Sequence, residues 1–201
     1  MDFNIFKSSL KTKMGVPNNH DVDTIAQTLT DAYDRSNVGI TKTMYGSTVI
    51  SGNKTNMQYL IKSGLNLNKI TKSKSGYKLI ASGFSAYWIG SKFTPIPMPP
   101  ATVSTLGTQV VIPGNPLDLE KLLNAAFNQK NFDDFATTLY NSLTKFHQTI
   151  SGTFIGLLTA TPPVPIILPW VSLGISVTSG SSGTSGTSGT SGTSGTSGII
   201  L

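Results

Sequence analysis

Any chemistry in this chain would have to come from very few groups. It holds two histidines, His20 and His147, nine acidic residues and no cysteine. Eight of the acids fall in near pairs: Asp21 with Asp23, Asp31 with Asp34, Asp118 with Glu120, and Asp133 with Asp134. Paired carboxylates of unequal acidity serve general acid–base catalysis, and carboxylates beside histidine can hold a metal ion. Three of the pairs, however, sit where a helix start wants negative charge against its exposed amides. Asp31 and Asp34 flank the end of a helical stretch, next to Arg35. None has the spacing of a calcium loop with its glycine and terminal glutamate. No phosphate loop, dinucleotide fingerprint or Gly-x-Ser-x-Gly elbow occurs. His147 follows Phe146 in a strongly striped helical segment and reads as a surface or packed residue rather than a base. The lack of cysteine excludes disulfides, thiolate zinc sites and thiol nucleophiles. The expectation is a protein that is not an enzyme, uses no cofactor or metal and takes no small-molecule substrate.

The elements that would position these groups are mainly helices. Phe3, Phe6 and Leu10 recur at helical spacing over 2–13. Gly15, Pro17 and Asn18-Asn19 then break the chain. Asp21 or Asp23 can cap a helix running to about Ser36, with Ile25, Leu29 and Tyr33 inward. Residues 40–52 read as a loop with one short strand. A third helix fits 54–64, with Met57, Leu60 and Ile61 inward and Gly64 as its stop. The Asn-, Lys- and Ser-rich segment 66–75 should then be exposed.

A fourth helix, about 76–92, carries Gly76, Gly83 and Gly90 at seven-residue intervals. A glycine inside a helix costs about 1 kcal/mol relative to alanine. Three of them suggest close approach of another helix, or else a helix broken by turns at each one. Four prolines in 94–104 predict an extended, polyproline-like connector dividing the body in two. Thr108 to Ile112 alternate as a short strand, ended by Pro113-Gly114. Asn115-Pro116 opens a helix over 116–128. The longest helix covers about 132–150, with Phe132, Phe135, Leu139, Leu143 and Phe146 on one stripe; Gly152 and Gly156 weaken its continuation. The fold expected is mainly α: an irregular body of five to six helices over 1–160, with a long extended C-terminal arm.

That arm has three parts. Residues 161–177 are apolar and proline-rich, with Ile166, Ile167, Leu168, Trp170 and Val171 at their centre. Pro162, Pro163, Pro165 and Pro169 forbid a continuous helix, including a membrane-spanning one. An extended apolar segment leaves unpaired amides and carbonyls, and a neighbouring chain would satisfy them by strand addition. Residues 178–198 repeat Thr-Ser-Gly, with Gly180, Gly183, Gly186, Gly189, Gly192, Gly195 and Gly198 at period three. This tract buries almost nothing, so it reads as disordered when free, as a segment threaded along neighbours, or as a collagen-like stalk. Ile199, Ile200 and Leu201 end the sequence as an apolar latch for another subunit, or as a frayed end.

Charge points the same way. Only 12% of residues are charged, against about 25% in typical domains. Such a surface suits a chain largely covered by neighbours. The net charge is +6, and no acid occurs between Asp34 and Asp118, where eight lysines are spread out. A weak, non-specific phosphate contact is the most these support, because forked arginine readers are lacking. The N-terminal residues carry no secretory signal pattern.

The short N-terminal helix, Ala81-Ser82-Gly83-Phe84-Ser85-Ala86-Tyr87-Trp88, the proline connector, Val111-Ile112-Pro113-Gly114 and the late Pro169-Trp170-Val171 together resemble, in layout, small virion structural proteins of large tailed bacteriophages. The resemblance covers about 2–175. It implies a non-enzymatic component of a virion, in tail, baseplate, neck or capsid, whose partners are copies of itself and other virion structural proteins. A surface fibre or adhesin with a Gly-rich stalk, and a DNA-associated packaging protein, are the alternatives.

Overall fold

The computed structural model describes residues 1–14, 21–71, 75–95, 97–98, 101–102, 108–158, 164–171 and 173. The chain is mainly α-helical, with six helices among these residues. Helix α1 (Phe3–Met14) buries Phe6, Leu10 and Met14 against α2 (Val22–Asn37) and α6 (Phe132–His147). Asp21 caps α2 by accepting from the Thr24 amide at 2.7 Å. This satisfies one of the amide donors that a helix start leaves open. Ile25, Leu29 and Tyr33 then face inward, as their four-residue spacing requires. Asn115 and Asn131 cap α5 (Pro116–Phe127) and α6 in the same way, with Pro116 in the first turn.

Helix α3 (Lys54–Thr71) departs from expectation. Gly64 does not end it; the helix continues for seven more residues, so 66–71 are helical rather than an exposed loop. Gly64 is buried against α4 (Gly76–Ala86). A Cβ on Gly64 would lie 2.5 Å from the Gly76 carbonyl, and one on Gly83 would lie 3.0 Å from the Met57 carbonyl. Asn68 accepts from the Gly76 amide at 2.7 Å. Gly76 and Gly83 therefore do mediate close helix packing, with Gly64 as the third member. Gly90 does not: α4 ends at Ala86, and Gly90 sits in the following turn with φ +76° and open space around it. Its role is the left-handed backbone that other residues resist.

The body is not divided at 94–104. Pro97–Met98 (β3) pairs antiparallel with Ala101–Thr102 (β4), so this stretch folds back on itself rather than running on as a long polyproline spacer. A single buried cluster runs from Met1 to Leu173 and includes side chains of all six helices. Its centre is Tyr33, with Phe84 at 5.0 Å and Tyr87 at 4.9 Å in edge-on contact. Val49–Ser51 (β1) pairs with Lys92–Phe93 (β2) beside it.

The C-terminal region gives the largest correction. Ser151–Leu158 is not a weakened helix but a strand, β6. It stands between β5 (Thr108–Ile112) and β7 (Val164–Val171) in an antiparallel order β5-β6-β7. Val164–Val171 is extended, as its prolines require, but its partner strand belongs to its own chain. Trp170 and Leu173 are buried in the body's core at 1% and 2% exposure. The boundary expected at 160 thus falls inside a β-hairpin, and Ile166, Ile167, Leu168, Trp170 and Val171 are not a free inter-subunit arm. The glycines of the Thr-Ser-Gly repeat and the residues Ile199, Ile200 and Leu201 lie outside the described residues.

Candidate functional site

The groups that could have done chemistry are occupied with one another. Asp118, Asp133 and Asp134 lie in first turns of their helices, where the aligned peptide dipoles favour them. Asp31 and Asp34 both meet the Lys54 ammonium, at 2.8 Å and 3.5 Å, and Asp23 meets Lys62 at 2.5 Å. Hydrogen bonding to Asp31 raises the Lys54 pKa and keeps it protonated. Tyr87 donates to Asp34 at 2.8 Å. Asp23, Asp31, Lys54 and Lys62 line a shallow surface groove between α2 and α3 in which opposite charges already neutralise each other. Two of the eight lysines in the acid-free stretch, Lys54 and Lys62, are thereby paired with acids of α2.

His147 is wholly buried. Trp88 Nε1 donates to the Tyr33 hydroxyl at 2.9 Å, and that hydroxyl meets His147 Nε2 at 2.7 Å. Which of the two donates follows the imidazole tautomer, and the buried Nδ1 has no hydrogen-bond partner among the described residues. Burial pushes the His147 pKa well below its ordinary range and the Tyr33 pKa well above its own. A neutral imidazole sealed beneath aromatic rings positions helices; it does not reach a substrate. His20 lies outside the described residues. Among the described residues, no group of three or more His, Asp and Glu is placed to hold a metal, and no helix is long and apolar enough to cross a membrane.

The C-terminal sheet is different, because large apolar side chains stand on both of its faces. Register pairs Val111, Gly152 and Trp170 across the three strands, and Phe154 with Leu168. Trp170 packs with Phe93 at 5.8 Å, while Phe154 packs with Tyr45, Ile166 and Leu168. This is the inner face. Alternation sends the intervening residues outward: Ile112 is 57% exposed, Ile155 47%, Ile167 67% and Val171 69%. Exposed Pro165 and Pro169 complete this surface. Outward positions of a half-buried antiparallel sheet are ordinarily polar. Here Ile112, Ile155, Ile167, Val171 and the two prolines stand around Ser151 and Thr153 of the central strand, and no charged side chain follows His147 in the sequence.

The edge of β7 is closed to the strand addition that its sequence suggested. Tyr45 donates its hydroxyl to the Pro169 carbonyl at 2.8 Å. In an antiparallel ladder the N–H and C=O of one residue point to the same side. Pro165, Ile167, Pro169 and Val171 therefore share the side away from β6. Two of these four have no N–H to give, and one carbonyl is already taken. Proline on an outer edge blunts it as a template for another strand. The apolar face, rather than the edge, is what this sheet presents.

Sequence reasoning placed Ile167 and Val171 on a contact surface and erred over Trp170, which belongs to the chain's own core. It missed Ile155, which pairs with Ile167 across the β6–β7 hairpin, and Ile112, which comes to the same face only through the pairing of β5 with the distant β6. The alternation Thr153, Ile155 against Gly152, Phe154, Gly156 was the available signal, and the glycines obscured it. Comparison of the chain with protein-family models, with curated proteins and with solved structures gives no match.

Proposed function

We propose that this chain is a non-enzymatic structural subunit of a virus particle, joined to its neighbours through the outer face of its C-terminal sheet. The observation that carries the reading is that face: an uncharged surface on which Ile112, Ile155, Ile167 and Val171 are exposed, with Pro165 and Pro169 beside them and Ser151 and Thr153 on the strand between. Exposed apolar patches of this kind mark interaction sites. The paired surface charges and the sealed histidine support the non-enzymatic part, since neither leaves an available acid, base or nucleophile for a substrate. The virion, of the tailed-bacteriophage type, is supported by sequence layout alone: the short N-terminal helix, the small-residue segment Ala81 to Trp88, the proline-rich stretch 94–104, Val111-Ile112-Pro113-Gly114 and the late Pro-Trp-Val. Low overall charge fits a surface that neighbours cover.

The test is density-gradient purification of particles from a culture that produces this chain, followed by quantitative mass spectrometry. The expected result is the chain in fixed proportion to the particle's other proteins through successive gradients and a high-salt wash. Loss of the chain from intact particles overturns the reading.

A further inference from the structure

We infer that the partner on the outer sheet face is a second copy of the same face, the two sheets packing face to face about a twofold axis; this rests on the assembly reading above. Charge selects the partner class. Nucleic acids, anionic lipid surfaces and acidic peptides are held by cations, and β5, β6, β7 and everything after His147 carry none. The net charge of +6 lies wholly before Gln148, so two copies repel one another through their bodies. Face-to-face pairing is the arrangement that limits this repulsion. Each sheet has its inner face on its own body, so joining the outer faces sets the uncharged quarters together and holds the lysine-bearing bodies apart. A twofold interface uses the same patch twice and must be self-complementary; an uncharged face that exposes Ile112, Ile155, Ile167 and Val171 around Ser151 and Thr153 meets that condition.

The closed β7 edge argues for the same geometry. With Pro165 and Pro169 lacking donors and Tyr45 on the Pro169 carbonyl, the copy adds as a second layer, as aligned sheets do about 10 Å apart. Size sets the strength. Three strands about 4.8 Å apart, with strands up to eight residues long, give a face roughly 14 Å by 27 Å. A pair of such faces buries on the order of 800 Å², below the roughly 1,200 Å² of stable complexes. The dimer is therefore weak and reversible alone, and is favoured where many copies are held at high local concentration.

Sedimentation equilibrium of the full-length protein tests this, together with Ile167→Lys and Ile167→Glu. Both variants change a largely exposed side chain, and circular dichroism with thermal melting checks that they fold. The wild type is expected to show a concentration-dependent monomer–dimer equilibrium. Each variant should associate at least about tenfold more weakly, and a mixture of the two should regain association. That rescue requires identical faces to meet. A wild type that stays monomeric at several hundred micromolar overturns the inference, as does a dimer that both variants leave intact. Dimerisation that emerges only when Ile199, Ile200 and Leu201 are replaced by lysine gives the face to the chain's own terminal residues and also overturns it. Either failure with the chain still in purified particles leaves the subunit reading standing. A face-dependent dimer that never enters particles removes that reading and keeps this one.

Discussion

The helical body and the C-terminal sheet satisfy their surfaces in opposite ways. In the body, Lys7, Lys54 and Lys62 meet opposite charges on neighbouring helices, and the buried Tyr33, Trp88 and His147 bond to one another. The sheet has no charge to pair, and only its inner face has apolar company. A region that is complete within one molecule is there for stability. A region left half complete takes its remaining partner from outside.

The sharpest way to break this contrast is through Trp170, the side chain that ties the two regions together. Trp170→Ala should destabilise the protein by about 3–5 kcal/mol, the usual cost of removing a large buried aromatic, read by urea denaturation. Among the described residues, the buried Trp170 Nε1 has no hydrogen-bond partner. Trp170→Phe loses an unsatisfied donor along with volume, so it should cost far less than the alanine variant. Equal effects would mean that the indole nitrogen has a partner after all.

Acid sensitivity should belong to the body alone. Burial holds the Met1 amino group down to about 6, and burial together with that amino charge pushes His147 well below 6.5. Bases with lowered pKa in the folded state refuse protons that the unfolded chain accepts. Stability is therefore full above pH 8 and falls as pH drops, first through the amino group between 8 and 6, then through His147 below 6.5. The amino group contributes at most about 2.7 kcal/mol of loss by pH 5. Urea titrations from pH 8.5 to 5 should show this slope. His147→Gln, which keeps an acceptor for Tyr33 but does not titrate, should flatten its lower part.

What was readable from the sequence follows the same division. Helices α1, α2, α5 and α6 were legible because their stripes and caps are local: Asp21, Asn115 and Asn131 each stop one helix's amides within three residues. The glycine spacing correctly indicated close helix contact at Gly76 and Gly83, but it could not separate these from Gly90, whose positive φ is set by the turn after α4. Gly64 had the composition of a stop, and only the presence of α4 across from it makes it an interior contact. The sheet was unreadable for a different reason. β5 and β6 are joined across two helices, so their pairing is invisible to any local window of sequence; β6 is the hairpin neighbour of β7, but Gly152 and Gly156 hid it as a strand. The need for a partner strand was read correctly, and its location was not.

The glycines allow a test that runs against propensity. In an open helix Gly→Ala stabilises by up to about 1 kcal/mol. At Gly76 a methyl group would lie 2.5 Å from Asn68 Oδ1 and against the Gly64 backbone, so Gly76→Ala should instead destabilise by about 1–3 kcal/mol through overpacking. Gly90→Ala meets no atom within 4 Å. Its cost, on the order of 1 kcal/mol, would come only from the left-handed backbone. Thermal melts of both variants decide whether α3 and α4 touch as closely as the structure places them.

The smallest expected effect on stability bears most directly on the contrast between the regions. Ile167→Thr keeps the β-branched shape that a strand favours and alters a side chain that is 67% exposed. Exposed substitutions ordinarily change stability by no more than about 0.5 kcal/mol, and the melting temperature of dilute protein should be unchanged. Solubility at high concentration should rise and binding of a hydrophobic dye should fall, because the variant removes apolar surface that the monomer does not use. If Ile167→Thr instead destabilised dilute protein as a core substitution does, the outer face would already be covered within one molecule, and the sheet would be as self-sufficient as the body.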